Sequence, residues 1–128
     1  MRGGISVRVS LNSPAFSGET LPEWISTIKG QPSILDASAV LHDSSRKSLR
    51  VAVVNRSETE SYEVPIRVAF AEIAVKEVEV HELWHSDVNA QNGWGRENEV
   101  QVRTRRESWH GKWTFREHSF TLLVFELQ

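Results

Sequence analysis

An all-β chain folded as an antiparallel β-sandwich, with one short helix or turn near the N-terminus, is what the sequence predicts. Three observations carry that prediction. Valine-rich segments alternate apolar and polar residues with a period of two, the pattern of a strand buried on one face. Short polar turns separate these segments, and about seven of them fit a small sandwich. No internal repeat, low-complexity tract or sustained heptad points to another architecture.

Taken in order, residues 5–9 alternate strictly and read as a half-buried strand. A segment rich in Pro, Gly and Ser follows. Within it Thr20 and Glu23 have capping-box spacing, and Gly30 can stop a turn. The spacing predicts one short helix or turn over 20–29, laying Trp24, Ile25 and Ile28 on the sandwich. Residues 34–42 and 48–55 read as two strands of a hairpin, joined by a polar turn at 43–47. Residues 62–69 alternate, with Val64, Ile66 and Val68 on one face; Pro65 cannot donate to a ladder and marks an edge or bulge. In residues 75–84 Val78 and Val80 point inward, Glu77, Glu79 and His81 outward, and the phase is expected to slip at Glu82 and Leu83. Residues 97–104 alternate again, with Val100 and Val102 expected inward. The last run, 119–127, is apolar on both faces, as in a strand covered on both sides. The whole chain, 1–128, is expected to form a single domain, with 1–33 a lead-in strand and connecting segment and 34–128 the sandwich body.

Composition narrows the function classes. The 128 residues suit one domain with a real core, and a net charge of -2 gives no electrostatic reason to expect nucleic acid or an anionic membrane as partner. Cysteine is absent, so thiolate chemistry and disulfides are out. The first residues lack the apolar core of a signal peptide, and no stretch approaches the roughly 18 apolar residues of a membrane span. The compartment is therefore unknown from this chain.

The segment HELWHSDVNAQNGWG, starting at His81, holds the richest chemistry. His81-Glu82-Leu83-Trp84-His85 spells the H-E-x-x-H of a zinc hydrolase, yet that motif needs a helix. Here β sequence precedes it and a turn follows, and two histidines four apart on a strand stand about 13 Å from each other. No metal and no cofactor are expected. Paired carboxylates for glycoside hydrolysis need a cleft and a separation of roughly 5 to 9 Å. Most acidic residues here, such as Glu77, Glu79, Glu97 and Glu99, alternate with apolar residues on what reads as a solvent face, so no catalytic residue is assigned. Neither a G-x-S-x-G elbow nor a phosphate-cradling glycine loop occurs. Among five tryptophans, Trp94 stands between glycines, while Trp109 and Trp113 bracket the turn at His110-Gly111-Lys112. These three could stack on sugar rings; alternatively, Trp109 and Trp113 cap the sandwich or bury at a domain contact. Asp87, Asn89 and Asn92 suit a structural loop, because their side chains bond nearby amides. Asn55-Arg56-Ser57 is a possible glycosylation sequon at Asn55.

Several stretches together resemble one family. They are Leu21-Pro22-Glu23-Trp24-Ile25, then Leu35-Asp36-Ala37-Ser38-Ala39-Val40-Leu41, then Val51-Ala52-Val53-Val54-Asn55-Arg56. Asp87, Ala90 and Asn92 follow in a D-x-x-A-x-N pattern, and His118-Ser119-Phe120-Thr121-Leu122-Leu123 closes the series. In this order they resemble the C-terminal domain of α-L-arabinofuranosidases of glycoside hydrolase family 51. The resemblance implies a jelly-roll-like sandwich beside a (β/α)₈ barrel, the barrel holding two catalytic glutamates and releasing terminal arabinofuranose from arabinan and arabinoxylan with retention. The barrel is missing from these residues, so neither glutamate carries over. The expectation is an accessory, non-catalytic domain, partnered by a barrel in cis or trans, with an arabinose-containing polysaccharide as a second candidate partner. It would be extracellular if part of a secreted enzyme that degrades plant cell walls. Two alternatives stand beside it: a free-standing carbohydrate-binding module, and a sandwich that binds a protein partner unrelated to sugars.

Overall fold

The structure, a computed structural model, describes residues 3–16, 32–42, 47–70 and 76–127. Eight strands and no helix occur among them: β1 (Ile5–Val7), β2 (Leu35–His42), β3 (Ser48–Asn55), β4 (Tyr62–Pro65), β5 (Glu77–Leu83), β6 (Val102–Ser108), β7 (Lys112–Phe115) and β8 (Ser119–Glu126). All pair antiparallel. Six form one sheet in the order β1-β2-β3-β8-β5-β6, and β4 with β7 forms a second. The all-β expectation holds. The helix or turn expected at 20–29 lies outside the described residues, as does the turn at 43–47 apart from Lys47.

Alternation explains the layering. The β2–β3 hairpin runs in unbroken register from Leu35 opposite Asn55 to His42 opposite Ser48. On its inner side it buries Leu35, Ala39, Leu49, Val51 and Val53. β8 slots between β3 and β5, so that Leu123 is flanked by Val51 on one side and Val80 on the other. Val78, Val80, Leu123 and Phe125 have no exposed surface. Each such side chain contributes about 1.5–3 kcal/mol of transfer free energy. From the second layer Phe115 joins this core, and Tyr62, Val64 and Trp113 pack against it. That contact makes two sheets a sandwich. At the β1 edge Gly4 is required by close approach: an added Cβ would stand 2.7 Å from the Leu41 carbonyl oxygen.

Four strand expectations change. β4 stops at Pro65, although the Ile66 amide still donates to the Gly111 carbonyl at 3.0 Å and Ile66 and Val68 still pack on the core. β7 itself is absent from the strands expected, although Trp113 and Phe115 alternate within it. No slip occurs at Glu82: β5 keeps register with β6 from Glu77 opposite Ser108 to Leu83 opposite Val102, and Glu82 follows Val78 and Val80 inward. The strand expected at 97–104 begins only at Val102, which faces outward and is 58% exposed. Opposite the inward residues of β5 stand Arg103, Arg105 and Glu107, so this edge strand carries charge rather than valine on its inner side.

Candidate functional site

The segment after β5 is a set of side-chain-closed turns. His81 belongs to β5, not to a helix; its Nε2 lies 2.6 Å from the Glu79 carboxylate and its Nδ1 2.9 Å from the Thr104 hydroxyl oxygen. His85 accepts the Asp87 amide on Nδ1 at 3.0 Å. The two histidines thus bond to different partners, and no group of three His, Asp or Glu that could hold a metal occurs among the described residues. The Asp87 carboxylate accepts the Asn89 amide at 2.9 Å, and the Ala90 amide reaches the Asp87 carbonyl at 3.1 Å. Asn92 then clamps a loop shut: its Nδ2 donates to the Val100 carbonyl at 2.8 Å and its Oδ1 accepts the Val100 amide at 2.7 Å. A single side chain imitates a rung of sheet.

Within that clamp lies the turn bearing Trp94. Gly93 and Arg96 exchange backbone hydrogen bonds of 3.3 and 2.9 Å, and Gly95 has φ +77°. Positive φ at the third position is what a type II turn asks of glycine. Trp94 occupies the second position with its whole side chain in solvent. The other two tryptophans point elsewhere. Trp109 meets Phe125 edge-on with ring centroids 4.7 Å apart, and Trp113 packs on the core beneath the Arg105 guanidinium. Trp94 alone among the three offers both ring faces freely.

Asn55 is a correction. It is 1% exposed; its Nδ2 donates to the Glu60 carbonyl at 2.9 Å and the Phe115 carbonyl at 3.2 Å, and its Oδ1 accepts the Ser57 amide at 3.0 Å. The folded domain leaves no room for a glycan on that nitrogen. Asn55 is instead the polar pin between the layers, since Phe115 lies on β7 and Asn55 on β3.

Two clusters escaped the sequence reading. Glu82, 6% exposed, lies 3.4 Å from Arg105, which also donates to Glu107 at 2.9 Å. Its in-phase position after Val78 and Val80 was the available signal. The second cluster stacks His118 on Trp84, with the Arg116 guanidinium 3.4 Å from the Trp84 ring centre. The His118 nitrogens lie 2.9 Å from the Glu58 carbonyl oxygen and 2.7 Å from that of His85, tying the loops after β3 and β5 together. His118 adopts φ +39°, which no sequence pattern announces. Next to it, a hydrogen bond from Glu117's own backbone and then one from the Ser61 hydroxyl hold the Glu117 carboxyl below its ordinary 4.5. Between the layers runs a groove of about 420 Å³, lined by apolar residues such as Val7, Leu35, Val51, Ile66 and Phe115. No carboxylate is among its described lining residues, so it offers no acid–base pair.

Comparison with known proteins bears on nearly the whole chain. No protein-family model matches it. The sequence is 34% identical over 127 residues to a probable α-L-arabinofuranosidase C of Aspergillus clavatus, covering 98% of this chain and 23% of that protein. It is 37% identical over 120 residues to the corresponding protein of Aspergillus flavus, covering 94% and 22%. The family 51 α-L-arabinofuranosidase structure from Thermotoga petrophila aligns with a TM-score of 0.64 at 30% identity, over 75% of this chain and 20% of that one. A family 51 enzyme from Bifidobacterium longum aligns with a TM-score of 0.70 over 91% of this chain at 16% identity, a likeness of fold. The chain spans about a fifth of the length of the proteins it matches.

Proposed function

From the resemblance to the C-terminal domain of family 51 α-L-arabinofuranosidases, which the comparisons bear out, we propose that this domain is the non-catalytic accessory sandwich of such an enzyme. It stabilises or completes a catalytic barrel, in cis or in trans. The single observation that carries the proposal is the match of almost every residue here to under a quarter of each relative. The site geometry agrees with it, since among the described residues the buried carboxylate, Glu82, is paired with Arg105 and the interlayer groove is mostly apolar. The substrate of the whole enzyme would be terminal arabinofuranose on arabinan or arabinoxylan, and its place of work outside the cell if it is secreted. The purified chain is expected to release no nitrophenol from an aryl arabinofuranoside. Turnover that survives repurification and disappears in Glu82→Gln would overturn the proposal.

A second reading has one observation in its favour, the complete exposure of Trp94 on a closed loop. Arabinose-containing polysaccharide would stack on that indole, without Trp109 or Trp113, whose rings pack inward. Titrating arabinoxylan oligosaccharides should then quench tryptophan fluorescence in the parent chain but not in Trp94→Ala. A flat response at millimolar sugar removes this reading.

A further inference from the structure

We infer that the outer face of the six-stranded sheet is where the remainder of the arabinofuranosidase chain docks. This rests on the accessory-domain proposal and adds the surface used. Register decides which outward side chains stand together. Val54 pairs with Phe120, Phe120 with Leu83, and Leu83 with Val102, giving one apolar row across β3, β8, β5 and β6. The adjoining row places Ala52 beside Leu122. Phe120 is 41% and Val102 58% exposed, so the row faces outward at the very positions where a lone sheet would carry polar side chains. That row continues through His81 to Thr104, and the next holds Arg50, Val124, Glu79 and Arg106, with Glu79 3.8 Å from Arg106 and 2.6 Å from His81.

Two facts name the occupant. β8 is a central strand apolar on both faces, which is the mark of burial on both sides, and only its inner face meets β4 and β7. The relatives carry more than three-quarters of their length beyond the matched segment. A body of that size can cover the roughly 800 Å² per partner of a stable interface.

The chain contains no cysteine, so single cysteines report accessibility without interference. Val102→Cys and, as a control on the second layer, Thr114→Cys are made in the chain alone. Both are also made in a chimera where this chain replaces the matching segment of the Aspergillus clavatus enzyme. Maleimide labelling is followed at those peptides by mass spectrometry. Val102→Cys should react at least an order of magnitude more slowly in the chimera, and Thr114→Cys equally fast in both. Equal rates at Val102, or protection at Thr114 instead, overturn the inference. Arabinofuranosidase activity of the chimera reports separately on the accessory proposal: an inactive chimera with Val102 protected sinks that proposal and leaves the docking face standing. Should the chimera fail to fold, cysteine at the position aligned with Val102 in the Aspergillus enzyme itself gives the same two-way outcome.

Discussion

Asn55 shows how one side chain decides between two meanings of the same triplet. Its amide satisfies two carbonyls and a backbone amide at a place with almost no solvent contact. Buried polar groups left unpaired cost about 1–3 kcal/mol each. Asn55→Ala would strand the Glu60 and Phe115 carbonyls and the Ser57 amide together, so a loss of about 2–4 kcal/mol is expected in urea unfolding. A change under half a kilocalorie would mean that the layers do not rely on this pin. Glu82 teaches the converse. Its burial is tolerable because Arg105 lies beside it and still reaches solvent.

Among the elements, strands were legible where one face is buried and the loop was legible only in kind. β2, β3, β5 and β8 could be placed from alternation because Leu35, Val51, Val80 and Leu123 sit on a sheet covered on their side. β6 misled for a physical reason: as an edge strand its inner face carries Arg103 and Arg105, so a valine there says nothing about the core. The residues read as its first half are used by the Asn92 clamp, a contact over eight residues that no periodicity encodes. The clamp predicts a local, not a global, effect. Asn92→Ala should speed hydrogen exchange at the Val100 amide while shifting the unfolding midpoint by no more than a surface substitution does, about 0.5 kcal/mol. If the midpoint falls by several kilocalories instead, the loop is part of the folding core and its separateness as a presenting element for Trp94 is lost.

For the molecule as a whole, the sequence already carried the sandwich, but which side of β8 is the domain's own core follows only from the second layer. Leu123 and Phe120 belong to the same strand and are three residues apart, so they point to opposite faces. Leu123 lies between Val51 and Val80 with no exposure, under the layer that Phe115 and Trp113 supply. Phe120 belongs to the outward apolar row. Both residues are apolar, and a sequence gives no reason to rank them; the fold does. Leu123→Ala should cost about 2–5 kcal/mol, a large part of the about 5–15 kcal/mol by which a domain is stable. Phe120→Ala, measured in the isolated chain by urea unfolding, should cost no more than about 1 kcal/mol, because its ring lies outside the core cluster and is 41% exposed. The reverse order would turn the sheet inside out. It would place the core on the face proposed as the docking surface.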